Sequence, residues 1–386
     1  MRKRVGVAFI LLGICLVLTG CWDVKTVSDY NFVTAMGIDH KEGKYTIYVQ
    51  LMDFGDMGTH DQSPPGDRSN VWIGRSEGES LYEAINKLYK TSQQNLYWDH
   101  LMAIVFSENA IKNDINTFFD SIPRFPQIRY NTWVFSTREP ISELFKYSTF
   151  FNLSPISNLL HNPRVLHNQL SYVPPIRLNT VLANKEEKGE TDLIPNLILV
   201  KKKWEDTERD QTVLEMNGAF ALDDGRAEHF YSEKQLDGVR WVTPKTRRSV
   251  LPINKDGRRI GMMSILKPDK KVDFAIEGGK PFIRLELEFK GVIEEVLTGS
   301  GAKEFQVIAE KEIREQVVQT YNAGIANATD IYGLEQYLYR RDPKTWKSLT
   351  AAAGSTEHGS FLNENSLKDV KVKVNISHSG MYDMEP

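Results

Sequence analysis

The chain has 386 residues, of which 41% are hydrophobic and 26% are charged, values that are ordinary for a globular protein of roughly two to three domains. The formal net charge is −3, and loss of Arg2, Lys3 and Arg4 with a signal peptide would leave 45 basic against 51 acidic side chains. This acidic balance argues against nucleic acid as a partner, because proteins that bind nucleic acid usually present a basic face.

The first 21 residues have the pattern of a lipoprotein signal. Residues 2–4 are basic, residues 5–18 are apolar, and the small residues 19 and 20 lead into Cys21. This order is typical of a secretory signal peptide, and a leucine three positions before the cysteine resembles the bacterial lipobox. We therefore predict that residues 1–20 are cleaved and that lipid on Cys21 anchors the chain at the outer face of the cytoplasmic membrane. The alternative is an uncleaved membrane anchor with an incidental cysteine.

The chain has two cysteines, Cys15 and Cys21. Cys15 lies in the apolar core of the predicted signal peptide, and the predicted lipid caps Cys21. We therefore expect neither a disulfide nor a free thiol in the mature chain, so that a hydrophobic core must supply its stability outside the cell.

The first half of the chain predicts strands that alternate with helices. Tyr45, Ile47, Val49 and Leu51 share one face of a predicted strand at 44–52. A helix is expected to begin at Ser80, which forms a capping box with Glu83. The other predicted strands are 101–106, 131–135 and 193–200, the other helices are 107–119 and 139–147, and a loop covers 55–70. The prolines of residues 154–190 are expected to break any long element. The alternation favours a mixed α/β layer.

The second half predicts a hairpin, several helices and two alternating strands. Residues 213–222 and 227–231 flank the turn Asp223-Asp224-Gly225 and form the predicted hairpin. Ser232 is expected to cap a helix that runs to Trp241. A long helix carries Phe305, Ile308, Ile313, Val317 and Tyr321, and two more helices follow the predicted caps Asp330 and Asp342. Residues 282–292 and 370–377 alternate strictly, as strands with one buried and one solvated face do.

The sequence offers no recognisable catalytic or metal-binding constellation. It has no Gly-x-Ser-x-Gly elbow, no His-Glu-x-x-His zinc helix and no Walker loop. His161 and His167 are interpreted as solvated loop histidines. Asp99 and His100 are interpreted as structural, because neighbouring residues of a strand face opposite ways. We therefore predict a protein that is not an enzyme, with no catalytic, cofactor-binding or metal-binding residues.

Three further features have simple structural interpretations. The paired carboxylates Asp223 and Asp224 fit a hairpin turn. Residues 299–301, Gly-Ser-Gly, fit a flexible turn before the long helix. The indole side chains of Trp204, Trp241 and Trp346 are expected in the core or at domain contacts.

Several segments, taken in order, resemble the Ger(x)C family of spore germination lipoproteins. The resemblance covers essentially the whole mature chain and depends on the order and spacing of its segments rather than on any single motif. The chain departs from the family at residues 351–354, where Ala-Ala-Ala-Gly replaces a second tryptophan-containing segment, and at residues 332–335. The resembling segments are Cys21-Trp22-Asp23 and residues 35–39, 79–85, 96–101, 216–220, 330–333, 342–346 and 379–380.

The resemblance implies a non-enzymatic C subunit of a nutrient germinant receptor, without a cofactor. The implied fold is α+β, with mixed β-sheets flanked by helices in about three structural domains. We divide the chain into the signal peptide 1–20, an N-terminal region 21–205 with two subdomains, and a C-terminal α/β domain 206–386. The implied partners are a membrane-embedded A-type subunit and a transporter-like B-type subunit, at the outer side of the inner spore membrane. The resemblance assigns no nutrient to the receptor and no small-molecule ligand to this subunit.

Two alternatives share the lipid anchor and the α/β pattern. An extracytoplasmic solute-binding lipoprotein of a transporter would have two similar lobes around a cleft, and the two halves of this sequence do not read as similar lobes. A surface hydrolase would need a catalytic constellation.

Overall fold

The structure is a computed structural model that describes residues 30–52, 71–147, 150, 155–205, 210–223, 226–353 and 360–378. Cys21, the predicted signal peptide, the predicted loop at 55–70 and residues 224–225 of the predicted turn lie outside the described residues. The described chain forms two mixed β-sheets with helices packed on them. The predicted α+β fold with mixed sheets and flanking helices is therefore confirmed.

The first sheet has ten strands among the described residues, in the order β10-β9-β8-β6-β5-β1-β2-β3. Two short strands join it from the side, since β4 pairs with β1 and β7 pairs with β6. Strands β1, β5, β6 and β8 run parallel in its centre, and antiparallel neighbours flank them. The strands are β1 (Tyr30–Lys41), β2 (Lys44–Met52), β3 (Trp72–Gly78), β4 (Asn95–Tyr97), β5 (Ala103–Ser107), β6 (Trp133–Thr137), β7 (Ile176–Arg177), β8 (Thr191–Glu205), β9 (Asp210–Asp223) and β10 (Arg226–Tyr231).

Helices cover both faces of this first sheet. Ile104 and Phe106 of β5 pack on one face with Phe118 of the second helix, whereas Ala103 and Val105 pack on the other face. The sequence of β5 is therefore a continuous apolar run, as expected for a strand that is buried on both faces. The helices of this part are α1 (Leu81–Tyr89), α2 (Glu108–Ser121), α3 (Ile141–Phe145), α4 (Pro163–Gln169) and α5 (Leu178–Asn184).

The sheet continues across the boundary predicted at residue 205. β8 and β9 pair along most of their length, from the Thr191–Asp223 pair to the Glu205–Asp210 pair. β10 then adds to the outer edge of β9. One sheet therefore contains strands from both predicted regions, and the boundary between two regions at residue 205 stays a prediction made from the sequence.

The second sheet has four strands in the order β11-β12-β13-β14. Neighbours are antiparallel except for β13 and β14, which are parallel because the helices α7 to α9 connect them. Phe305, Ile313 and Val317 of α7 are fully buried against this sheet. The elements are α6 (Val239–Val242), β11 (Arg248–Lys255), β12 (Arg258–Glu277), β13 (Lys280–Val296), α7 (Ala302–Ile325), α8 (Leu334–Arg341), α9 (Pro343–Ala352) and β14 (Leu367–His378).

The helix predicted from Ser232 to Trp241 is wrong as a continuous element. A 3₁₀ turn, Lys234–Leu236, comes first, and the short α6 follows. Gly238 lies between them, and its N–H donates to Thr320 Oγ1 (2.9 Å) instead of to a carbonyl four residues earlier. Docking on α7 and the low helix propensity of glycine thus divide the helix.

Among the described residues, no helix combines the length and the apolar character that a membrane crossing requires.

Candidate functional site

The residues singled out in the sequence do not meet in one site. Cys21 lies outside the described residues. Tyr97 Oη donates to Asp99 Oδ2 (2.8 Å), and the exposed ring of His100 packs on Phe32 with 4.9 Å between ring centroids. Asp99 is therefore held by a tyrosine, and His100 is part of an aromatic cluster at the start of β1.

His161 and His167 are both buried, so their interpretation as solvated loop histidines is wrong. His161 Nδ1 lies 3.0 Å from Asn158 Oδ1, and His167 Nε2 lies 3.2 Å from the carbonyl oxygen of Lys245. Burial lowers the pKa of His167. The described part of the chain holds no group of three or more His, Cys, Asp or Glu side chains placed to bind a metal ion.

Two of the three tryptophans are in the core, and one is not. Trp241 and Trp346 are buried, and the indole nitrogen of Trp241 donates to Gln316 Oε1 (2.8 Å). Trp204 is exposed near the end of β8, where its ring packs on Phe150 at 5.2 Å. The prediction of a core or contact position for Trp204 is therefore wrong, because β8 and β9 extend beyond the helices that cover the sheet.

The structure instead brings charged side chains together where the two sheets meet. On one side are α5, the loop 185–190 and the start of β8. On the other side are the segment 239–245, Lys270 of β12 and helix α8. The Gln336 N–H of α8 donates to the carbonyl of Gly189 (3.1 Å), and Arg340 pairs with Glu187 (3.5 Å). The loop 185–190 therefore holds the first turn of α8.

Ser171 forms a second link between the two sheets. Its N–H donates to the carbonyl of Arg248 (2.7 Å), and its carbonyl accepts from the Ser249 hydroxyl (2.6 Å). The Ser171 hydroxyl also accepts from the Arg247 N–H (2.9 Å). The start of β11 is thus fixed on the segment that follows α4, and the two sheets are held at two separate places.

A cavity of about 740 Å³ lies between these two links. Its first wall is formed by Asn184 and residues 190–193, and its second wall by residues 242–245, Lys270 and one side of the segment 331–341. Elements of both sheets therefore contribute to the cavity.

Charges of both signs face this cavity. Asp192 is buried and accepts from Asn184 Nδ2 (2.7 Å), and burial raises its pKa to about 7, with the charge of Glu190 adding to the effect. Burial also raises the pKa of Glu190. Burial lowers the pKa of Lys270, although the carboxylates of Asp330 and Glu190 oppose this shift. The cavity therefore disfavours the charged form of each of these groups.

A buried acidic pair, Asp330 and Glu335, lies behind the second wall of the cavity. Asp330 Oδ2 accepts from the Glu335 N–H (2.7 Å), but the helix begins at Leu334 with Gly333 in the cap position, so the prediction of Asp330 as the N-cap is wrong. Glu335 Oε1 accepts from the Phe361 N–H (3.0 Å) and from the Ser360 hydroxyl. Burial raises the pKa of Glu335 to about 7 and holds the pKa of Asp330 well above its usual range. The pair therefore gives the junction a pH-sensitive element.

Sequence reasoning missed this junction. Glu190 ends the proline-rich segment 154–190, Asp192 precedes the predicted strand at 193–200, and Lys270 lies in a strand that was not predicted. An acidic residue within a buried run, as in Thr191-Asp192-Leu193-Ile194, was the one local signal, because a carboxyl at a core position needs a reason.

Comparison with known families matches both parts of the chain. Residues 23–199 match the family described as "Spore germination protein N-terminal domain". Residues 217–380 match the family described as "Spore germination B3/GerAC like, C-terminal". The two matches follow one another in order and together cover most of the sequence.

Curated relatives and a solved structure agree with these matches. Spore germination protein KC of Bacillus subtilis (strain 168) is 23% identical, over 99% of this chain and 97% of its own length. Spore germination protein B3 of the same organism is 21% identical, over 74% of this chain and 73% of its own length. The crystal structure of the GerBC protein shares the fold, with a TM-score of 0.52 and 17% identity over 89% of this chain and 96% of that one. The chain therefore belongs to the Ger(x)C family of spore germination proteins.

Proposed function

We propose that this chain is a lipid-anchored, non-enzymatic subunit of a spore nutrient germinant receptor. It acts as a scaffold or coupling subunit beside a membrane-embedded A-type subunit and a transporter-like B-type subunit, on the outer side of the inner spore membrane. The observation that carries the proposal is the ordered match of both germination regions, residues 23–199 and 217–380. The match to spore germination protein KC over nearly the full length of both chains supports it further.

The proposed anchor would hold the first sheet close to the membrane. β1 begins at Tyr30, nine residues after Cys21. A fully extended chain spans at most about 3.5 Å per residue, so these nine residues reach about 30 Å at most. A lipid on Cys21 would therefore keep the start of β1 within about one bilayer thickness of the membrane surface.

The anchor is tested by two matched cysteine substitutions. Sporulating cells that express the native chain, Cys21→Ala or Cys15→Ala are fed an alkyne-tagged fatty acid, and the chain is recovered from the resulting spores. We expect labelling of the native chain and of Cys15→Ala and none of Cys21→Ala, because only Cys21 carries the proposed thioether. Labelling that survives in Cys21→Ala would overturn the anchor.

The receptor role is tested by deletion and by co-purification from dormant spores. Deletion should abolish germination in response to one class of nutrient while spores still form, and the native chain should co-purify with transporter-like subunits. An anchored chain that co-purifies with no such subunit, and that is present in growing cells rather than in spores, would favour the solute-binding lipoprotein instead.

A further inference from the structure

The cavity between the two sheets has the size and the position of a ligand site. Its volume of about 740 Å³ lies within the range of roughly 300–1,000 Å³ that is usual for small-molecule pockets. Such pockets occur preferentially where two structural units meet. Here one wall comes from β8 and the other from β12 and α8, so the cavity belongs to the junction and not to either sheet alone.

The cavity contains four charged side chains that do not neutralise one another directly. Glu190 and Asp192 line it from the first sheet, and Lys245 and Lys270 line it from the second. Within the part of the chain that the structure describes, none of these four side chains has an ion-pair partner within 4 Å. Glu190, Asp192 and Lys270 are partly or fully buried around one space, and Lys245 lies at its exposed edge.

The two arginines of the rim differ from these four, because both are exposed to solvent. Arg340 pairs with Glu187 (3.5 Å), whereas Arg341 Nη1 lies 3.3 Å from the neutral hydroxyl of Tyr337 and keeps its charge. The carboxylates of one wall therefore face ammonium groups on the other, and Arg341 adds a positive charge at the rim.

We propose that the cavity binds a small zwitterion, with its cationic group toward Glu190 and Asp192 and its anionic group toward Lys270 and Lys245. A partly desolvated charge is unfavourable unless an opposite charge lies close to it, and a zwitterion supplies an opposite charge to the carboxylates and to the ammonium groups at once. A ligand with a single charge is attracted by one wall and repelled by the other, so the arrangement selects against it.

Binding of this kind would also tighten the junction. Because the two walls belong to different sheets, the ligand bridges them in addition to the links through Gly189 and Ser171. A ligand that binds the folded chain alone raises its melting temperature. The proposed ligand site lies within this chain alone. If no zwitterion binds, the proposals of a membrane anchor and of a receptor role are unaffected. If those two proposals fail, the proposed ligand site is unaffected in turn.

The test titrates the full chain, purified in detergent, with zwitterions and with their singly charged analogues. The zwitterions are the twenty L-α-amino acids, glycine betaine and taurine, and the analogues are N-acetyl amino acids and amino acid amides. The titration is done at pH 8, because burial raises the pKa of Asp192 to about 7 and its carboxylate must be ionised. We expect at least one zwitterion to raise the melting temperature and to release heat on mixing, and its two analogues to bind at least tenfold more weakly.

Two neighbouring lysines of β12 provide a matched pair of variants. Lys270 faces the cavity, whereas Lys271 is exposed and lies 3.4 Å from both Asp273 and Glu286. Lys270→Gln should raise the Kd of the bound zwitterion at least tenfold, and Lys271→Gln should leave it within twofold. If Lys270→Gln does not fold, Glu190→Gln replaces it with the same expected loss.

Three results would overturn the proposal. The first is that none of the zwitterions raises the melting temperature at 10 mM. The second is that an N-acetyl or amide analogue binds as tightly as the parent zwitterion. The third is that Lys270→Gln and Lys271→Gln weaken binding to the same degree, which would locate the ligand elsewhere.

Discussion

Replacement of the buried Glu335 by glutamine should remove one defined contribution to the pH dependence of stability of this protein. The folded-state pKa is about 7 against an ordinary value of 4.5, and burial is the main cause. Because the pKa is raised in the folded state, the protonated Glu335 carboxyl contributes fully to the free energy of unfolding below pH 4.5, and this contribution is lost as the pH rises through about 7. At about 1.36 kcal/mol per pKa unit, this group alone costs the native chain about 2.5 kcal/mol between pH 5 and pH 8.5.

Glutamine is a suitable replacement because it keeps the shape of the side chain. Its carbonyl oxygen still accepts from the Phe361 N–H, which lies 3.0 Å from Glu335 Oε1, and from the Ser360 hydroxyl. The substitution removes the ionisable carboxyl group and keeps these two hydrogen bonds. Glu335→Gln should therefore be close to the native chain in stability at pH 5 and more stable than it by up to about 3 kcal/mol at pH 8.5.

Urea unfolding at pH 5 and pH 8.5 measures both free energies of unfolding for the native chain and the variant. Glu186→Gln, at an exposed position of the loop 185–190, is the control for loss of a carboxylate and should follow the native chain. If the stability of Glu335→Gln falls with pH as steeply as that of the native chain, the carboxyl does not lose its proton in a buried site and the reasoning is wrong.

Two further substitutions test the packing of the junction by the same unfolding measurement. Gly189→Ala should lower the free energy of unfolding by about 2 kcal/mol, because Gly189 has φ +70° and a Cβ there would lie 2.9 Å from the Gln336 nitrogen. The control is Gly43→Ala, where φ is +72° and no atom lies within 4 Å of the added Cβ. It should lower the free energy of unfolding only by the backbone strain of about 1 kcal/mol. Equal losses would mean that the loop does not pack on α8. Thr320→Val should cost about 1–3 kcal/mol by leaving the buried N–H of Gly238 without its acceptor, and Thr320→Ser, which keeps the hydroxyl, should cost less. A valine variant as stable as the serine variant would contradict this role.

Local patterns predicted much of the fold because neighbouring residues supply their signals. The strand at 44–52 has the predicted bounds, since its apolar residues alternate and the Glu42-Gly43 turn stands before it. The predicted cap at Asp342 is also present, because its Oδ1 accepts from the Thr345 N–H (3.1 Å) and Pro343 follows it. In each case the cause and the effect lie within a few residues of one another.

The β11–β12 hairpin was missed although a local signal for it exists. Asp256-Gly257 forms its turn, with φ of +51° and +75°, and Asp-Gly is a common hairpin dipeptide. The outer part of β12 carries Asp269, Lys270 and Lys271 in a row, which hides its alternation. The strand is stable there because it pairs with β13, and that partner lies elsewhere in the sequence.

The cavity could not be predicted from local sequence. Its charged residues come from five separate segments between Glu190 and Arg341 along the chain, and only the docking of one sheet on the other brings them together. Cys21, by contrast, was found from sequence alone, because an export signal is a linear pattern.

The pairing of β8 with β9 bears on how genes of this kind can evolve. A gene fragment that ended near residue 205 would encode a β8 whose edge has lost the neighbour that covers it, and the complementary fragment would begin with β9 in the same condition. Long uncovered strand edges invite aggregation. Recombination between relatives at this point would yield a functional product only if the incoming strand restored the pairing, so selection should favour joint inheritance of the two regions.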